Sequence, residues 1–157
     1  QSNKTRSVAA AFDWVHAVDR LKLAERLAEQ RPPELPPLNL CLQVNISGED
    51  SKAGVAPDDA LALALQVAAL APARVRLRGL MAIPAPADTL DAQRVPHRAL
   101  HALMAQMNAA GLQLDTLSMG MSADLEAAIA EGSTLVRVGT AIFGPRTAGA
   151  RELHDRP

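Results

Sequence analysis

Two segments in the last third of the chain carry residue types suited to anions. Residues 117–122 (LSMGMS) leave an apolar run through a glycine and enter a helical stretch at Ser122, which predicts a hydroxyl at the helix cap with Asp124 in the first turn. First-turn N–H groups lack intrahelical partners and sit at the positive end of the macrodipole, so a phosphate or carboxylate is the ligand such a turn suits. Residues 136–144 (VRVGTAIFG) set Arg137, Gly139 and Thr140 at the end of the next apolar run. Arg137 lies between two valines, where a guanidinium without an acceptor would be expensive, so it calls for a carboxylate or a ligand. The same residues also have plain structural uses: Gly120 in a tight turn, Ser122 as a cap, Gly139 and Thr140 in strand-end packing.

The elements that must position these residues follow from periodicity. Short β-branched apolar runs alternate with longer Ala/Leu/Glu segments, the pattern of βα units on a parallel sheet. Strands are predicted over 13–19, 39–46, 75–83, 114–119 and 135–143. Helices are predicted over 2–12, 20–30, 57–71, 88–110 and 122–131, the fourth interrupted near Pro96 and capped by Gly111, with no periodicity after 145. Pro57 followed by Asp58 and Asp59 is a helix start that complements the dipole. No hairpin signal joins adjacent strands. An open doubly wound sheet of five strands fits the length. An eight-stranded βα barrel needs about 250 residues, roughly three units more, but its recurrent phosphate site lies in the loops after strands 7 and 8, matching two adjacent terminal loops rich in glycine and hydroxyls.

Composition narrows the partners. The chain has 157 residues, 16 basic against 17 acidic, and a net charge of −1, with no basic block, which argues against nucleic acid and anionic membranes as partners. The apolar runs are too short to span a bilayer. A single cysteine, Cys41, excludes an internal disulfide, fits a reducing cytoplasm and reads as core. Aromatic residues make up 2% of the chain, so the core must be aliphatic. His97 and His101 have metal-compatible helical spacing but no third ligand, and read as a solvated pair; His16 reads as a satisfied core or rim residue.

Taken together, SMGMS-x-D with RVGTAIFG, LQVNISGEDSKAG (42–54), GLMAIP (79–84) and the opening QSNK resemble the pyridoxal-phosphate homeostasis protein family from Gln1 to about Arg146. The resemblance implies a parallel (β/α)8 TIM-barrel fold of the alanine-racemase type, of which residues 1–146 hold about the last five βα units and 147–157 form a tail. It implies a cytoplasmic protein that binds pyridoxal 5′-phosphate and buffers or delivers it to pyridoxal-phosphate-dependent apoenzymes, without catalytic turnover and without a metal. An amino-acid racemase on the same barrel is the alternative, and the absence of any Tyr, the usual second base there, stands against it. By position, Ser122, Gly139 and Thr140 match residues that hold the cofactor phosphate, and Arg137 matches the one facing the pyridine nitrogen. Met119, Gly120 and Met121 would line the cofactor or approach its phosphate through backbone, with Asn45 a neighbour. The family's Schiff-base lysine belongs to a first strand that would precede Gln1, so Lys4, Lys22 and Lys52 are not assigned to it, and the missing units are expected from a longer native chain or a separate segment.

Overall fold

The computed structural model describes residues 2–49 and 53–144; Gln1, Lys52 and the expected tail lie outside them. Five parallel strands, β1 (Trp14–Val18), β2 (Leu38–Gln43), β3 (Val75–Met81), β4 (Thr116–Met121) and β5 (Leu135–Arg137), pair in the order β1-β2-β3-β4-β5. A doubly wound sheet reverses its order at a switch point. This one never does, so the open-sheet alternative is set aside and the architecture is a half-barrel. Helices α1 (Thr5–Ala11), α2 (Leu21–Gln30), α3 (Pro57–Ala68), α4 (Leu90–Ala109) and α5 (Leu125–Ala130) each pack on the next, forming one layer on one face. A last turn, α6 (Thr140–Phe143), follows β5.

The core lies between that layer and the sheet. Register pairs Leu38 with Val75, Leu40 with Leu77, and Leu42 with Leu80, which in turn pairs Leu117, and all seven are buried. From α3, Ala60, Leu63, Ala64 and Val67 present the i, i+3, i+4, i+7 stripe to it. Strands β3 and β4 approach most closely at Gly79, where a Cβ would fall 1.7 Å from the Thr116 carbonyl oxygen.

Several predicted boundaries differ by a few residues, and three differences bear on the site. Helix α4 continues through Pro96, because the Thr89 cap on one side and buried His97, Leu100 and Met107 on the other hold both halves against the lost hydrogen bond. Helix α5 starts at Leu125 rather than Ser122, and β5 ends at Arg137, with Thr140 opening α6 instead of extending a strand.

The sheet's other face is polar. At its lower end Arg78 grips both Asp115 carboxylate oxygens (Nε 3.0 Å, Nη2 2.7 Å), donates to Asn39 Oδ1 at 3.0 Å and lies 4.8 Å over the Trp14 ring. Higher up, Arg137 Nη1 donates to the Ser118 carbonyl and hydroxyl oxygens, both at 2.7 Å, and Nη2 to the Ala82 carbonyl at 2.9 Å. Within the protein, carbonyls and a hydroxyl thus answer this guanidinium, not a carboxylate. Ser118 Oγ also lies 2.8 Å from His16 Nδ1. Arginine can only donate, so Ser118 Oγ accepts from Arg137 while its other side meets the His16 ring nitrogen. Burial, then the Arg137 charge, push His16 below its ordinary 6.5.

Arg31, which periodicity does not single out, is 2% exposed at the end of α2. Its Nη1 donates to the Ala9 and Phe12 carbonyls, both at 2.7 Å, and its Nε to Pro36 at 2.8 Å, joining the end of α1 to the proline linker. Replacing it by methionine strands three carbonyls that accept charged donors, and urea unfolding should show a loss of about 3 kcal/mol or more, with lysine unable to restore it. For His16 the native state binds fewer protons than the unfolded chain below pH 6.5, so stability falls as pH drops through that value. Unfolding midpoints compared between pH 7.5 and 5.5 should show that slope in the native protein and its attenuation in His16→Asn.

Candidate functional site

Parallel strands bring all their C-terminal ends to one rim, where the loops after β3, β4 and β5 meet. Strand β4 reaches it through Gly120, whose φ of +95° and would-be Cβ 2.5 Å from Ala128 Cβ both require glycine; this lets α5 close over the strand end. In the turn that follows, Asp124 uses both oxygens: Oδ1 accepts the Met121 N–H at 2.7 Å, and Oδ2 lies 2.9 Å from His97 Nε2. Ser122 stands outside the helix it was expected to cap. Its hydroxyl accepts instead from the Ala141 amide of α6 at 3.2 Å, stitching the loop after β4 to the loop after β5.

Gly139 occupies the cap position of α6, its carbonyl accepting from Ile142 and Phe143 at 2.9 Å each. A Cβ there meets nothing within 4 Å, so the space beside it is open. Thr140 is exposed next to it. Ser122, Gly139 and Thr140 thus share one rim, with Arg137 anchored below by Ser118. Burial lowers Arg137 from its ordinary value, while the Asp124 carboxylate and then Cys41 oppose the shift. The Cys41 thiol, fully buried on the same face, is pushed up to about 12 by burial, against the pull of Arg78. A cavity of about 240 Å³ opens between the β3 and β4 loops, lined in part by Ile83, Pro84, Gln93, Met121 and Asp124.

Met119 and Asn45 do not join this group as expected. The Met119 side chain is fully buried in the helix-facing core, the opposite side from Ser118, because successive strand residues alternate faces. Asn45 Nδ2 donates to the Glu49 carbonyl at 2.8 Å and its backbone amide to Val55 at 2.9 Å, so it shapes the loop between β2 and α3. Met121 lines the cavity and Gly120 serves the packing of α5.

The residues missed are His97, His16 and Ser118. His97 is fully buried and bonded to Asp124, not solvated. Its place with Leu100, Met104 and Met107 on one helical stripe is the signal that marks it as interior. His101 Nδ1 lies 2.8 Å from the Glu131 carbonyl, and no group of three metal-ligating side chains occurs among the described residues. Among those residues no helix is long and apolar enough to cross a membrane.

Comparison with known proteins bears on this rim. Residues 2–147 match the family described as alanine racemase, N-terminal domain. The pyridoxal phosphate homeostasis protein of Pseudomonas aeruginosa is 61% identical over 150 residues, covering 96% of this chain and 63% of that protein. Its counterpart in Escherichia coli K12 is 54% identical over 146 residues, covering 93% of this chain and 62% of that protein. The chain therefore spans somewhat less than two thirds of these curated relatives. Among solved structures, PipY of Synechococcus elongatus with PLP bound superposes with a TM-score of 0.80 at 37% identity, covering 92% of this chain and 66% of PipY. The chain belongs to the alanine racemase N-terminal domain family, on the branch whose curated relatives are the pyridoxal phosphate homeostasis proteins.

Proposed function

We propose that the rim formed by the β4 and β5 loops holds pyridoxal 5′-phosphate, and that the protein stores the cofactor and delivers it to pyridoxal-phosphate-dependent apoenzymes in the cytoplasm rather than turning over a substrate. The observation that carries this reading is the junction of the two loops through Ser122 and Ala141, which sets hydroxyls, an open glycine and the start of α6 beside Arg137. That donor set suits a phosphate. The likeness to PipY with PLP bound, and the names of the curated relatives, support it. On this reading the five βα units are the last five of an eight-unit barrel spanning residues 1–146, and the lysine that anchors the cofactor covalently belongs to the barrel's first strand.

Bound there, the cofactor supplies an aldehyde that captures amines and a ring that can withdraw electrons. The protein's residues decide how much of that reactivity is expressed. Ser122 and Thr140 would hold the phosphate with hydroxyls, and Gly139 would keep side-chain bulk away from it. Arg137 would face the pyridine nitrogen. Pinned by the Ser118 and Ala82 oxygens, it presents N–H donors that do not give up their protons, which would leave the ring nitrogen unprotonated and the electron sink weak. An enzyme drawing a carbanion into the ring would place an acid there. Holding is favoured over turnover.

Replacing Ser122 by Ala and Thr140 by Val together removes two hydrogen bonds to a charged group, and the dissociation constant for pyridoxal 5′-phosphate should rise about 100-fold. Equilibrium titration of the visible absorption band in the purified full-length protein measures it, and unchanged affinity would overturn the assignment. Amino-acid racemisation assayed on the same protein distinguishes storage from the racemase alternative.

A further inference from the structure

Resting on the phosphate reading of the rim, we infer that His97 is a positioning residue for that site, acting from the helix layer through Asp124. His97 is fully buried in α4, on the stripe that Leu100 and Met107 fill with apolar side chains. An aliphatic residue would pack this stripe without polar atoms to satisfy. The imidazole instead leaves Nδ1 buried without a partner among the described residues, and its one hydrogen bond is the 2.9 Å contact from Nε2 to Asp124 Oδ2. A buried polar group with half its capacity unused is a cost, so the bond it does make is what the position contributes.

That bond acts on the turn that carries Ser122. A carboxylate only accepts, so Nε2 bears the hydrogen, and Asp124 is gripped by two donors, one per oxygen: His97 from α4 and the Met121 amide from the end of β4. Ser122 lies between Met121 and Asp124, and its hydroxyl meets α6 at Ala141. A continuous chain of hydrogen bonds and one short turn therefore leads from the buried imidazole to both loops of the rim. The grip has a second effect. Asp124 is close enough to oppose the lowering of Arg137, and a carboxylate left to swing toward the rim would repel a phosphate dianion. Held by both oxygens, it stays in the turn.

The readout is the ratio of affinities for pyridoxal 5′-phosphate and pyridoxal in the purified full-length protein, which isolates the phosphate from the rest of the ligand. His97→Leu and His97→Met remove the donor while filling the space; Met, which adapts to irregular cavities, is the second replacement should Leu disturb the fold. Both should lower the ratio about tenfold, the equivalent of about 1.4 kcal/mol. His97→Gln, which can offer an N–H to Asp124, should stay within about threefold of the native ratio, a margin below 1 kcal/mol. In an Asp124→Ala background, adding His97→Leu should change the ratio no further, as two residues in one chain require. An unchanged ratio in the Leu and Met variants, or a fall in the Gln variant as large as in Leu, would show that His97 serves packing alone. If the native protein itself does not prefer the phosphate ester, the phosphate reading of the rim fails, and this inference with it.

Discussion

A guanidinium taken out of water must bring its acceptors with it, and three arginines impose that condition on this fold. The core is aliphatic, and aliphatic packing has no direction: leucines of β2 and β3 could slide against the helices at modest cost. Arg31, Arg78 and Arg137 cannot slide. Arg31 requires the last carbonyls of α1 and the linker carbonyl of Pro36 at one point. Arg78 requires Asn39 on β2 and Asp115 just ahead of β4. Arg137 requires the end of β4 and the residue after β3. Between them they address the α1–α2 junction, the lower sheet and the rim, and each joins segments far apart in sequence. Charged, directional bonds supply the uniqueness that hydrophobic burial leaves open.

The rim inherits its precision from that arrangement. Loops at strand ends are the mobile part of a βα unit, and a ligand site built from them alone would be loose. Here the loop after β4 is tied to α4 through Asp124, to α6 through Ser122, and to the strand beneath through Gly120, where α5 closes on the sheet. Helix α5, only six residues long, is in turn held to α4 by Glu131, which receives Arg94 and Arg98. Those two guanidiniums hold the Glu131 carboxyl below its ordinary range. A short helix could not orient a turn by its own stability. Its neighbours do so.

What could be read from the sequence divides along the range of the forces. The apolar run that becomes β2, the start at Pro57 with its two aspartates, and the stop at Gly111 are local features that the residues themselves announce. The glycine and hydroxyl set of the rim lies in two short turns, although Ser122 and Thr140 take other places in them than the pattern suggests. Features set by distant partners could not be read this way. Asp124 is spent on the Met121 amide and His97, so α5 begins three residues later than capping rules suggest. Arg137 turns onto Ser118 and Ala82 at the end of a strand whose pattern continues past it. Met119 is an error of parity: with Ser118 bonded to Arg137 on one face, period-two alternation sends its neighbour to the other. His97 sits four residues from the more exposed His101, and a polar pair at helical spacing looks like a solvated face until α5 is placed over it.

The polar face of the sheet has its own logic. Barrel interiors of this kind are commonly filled by layers of Val, Ile and Leu, which make a core and leave the chemistry to the loops. This face holds Trp14, His16, Asn39, Cys41, Arg78, Ser118 and Arg137 instead, divided into two levels. The lower level is self-sufficient: Arg78 is matched by Asp115 and Asn39 and covered by Trp14, so its charge is neutralised where it stands. The upper level is different, because Arg137 is answered by neutral carbonyls and a hydroxyl, and His16 beside it is held neutral. Cys41, close enough to feel both arginines, is kept as a thiol by burial and adds no charge. The upper level therefore sets the Arg137 charge beneath the two loops with neutral oxygens, rather than a carboxylate, bonded to it. A face built for stability alone would neutralise both levels in the same way. One level carries its own carboxylate and the other leaves its guanidinium to neutral oxygens below an open rim, a distribution that suits the anionic ligand proposed for it.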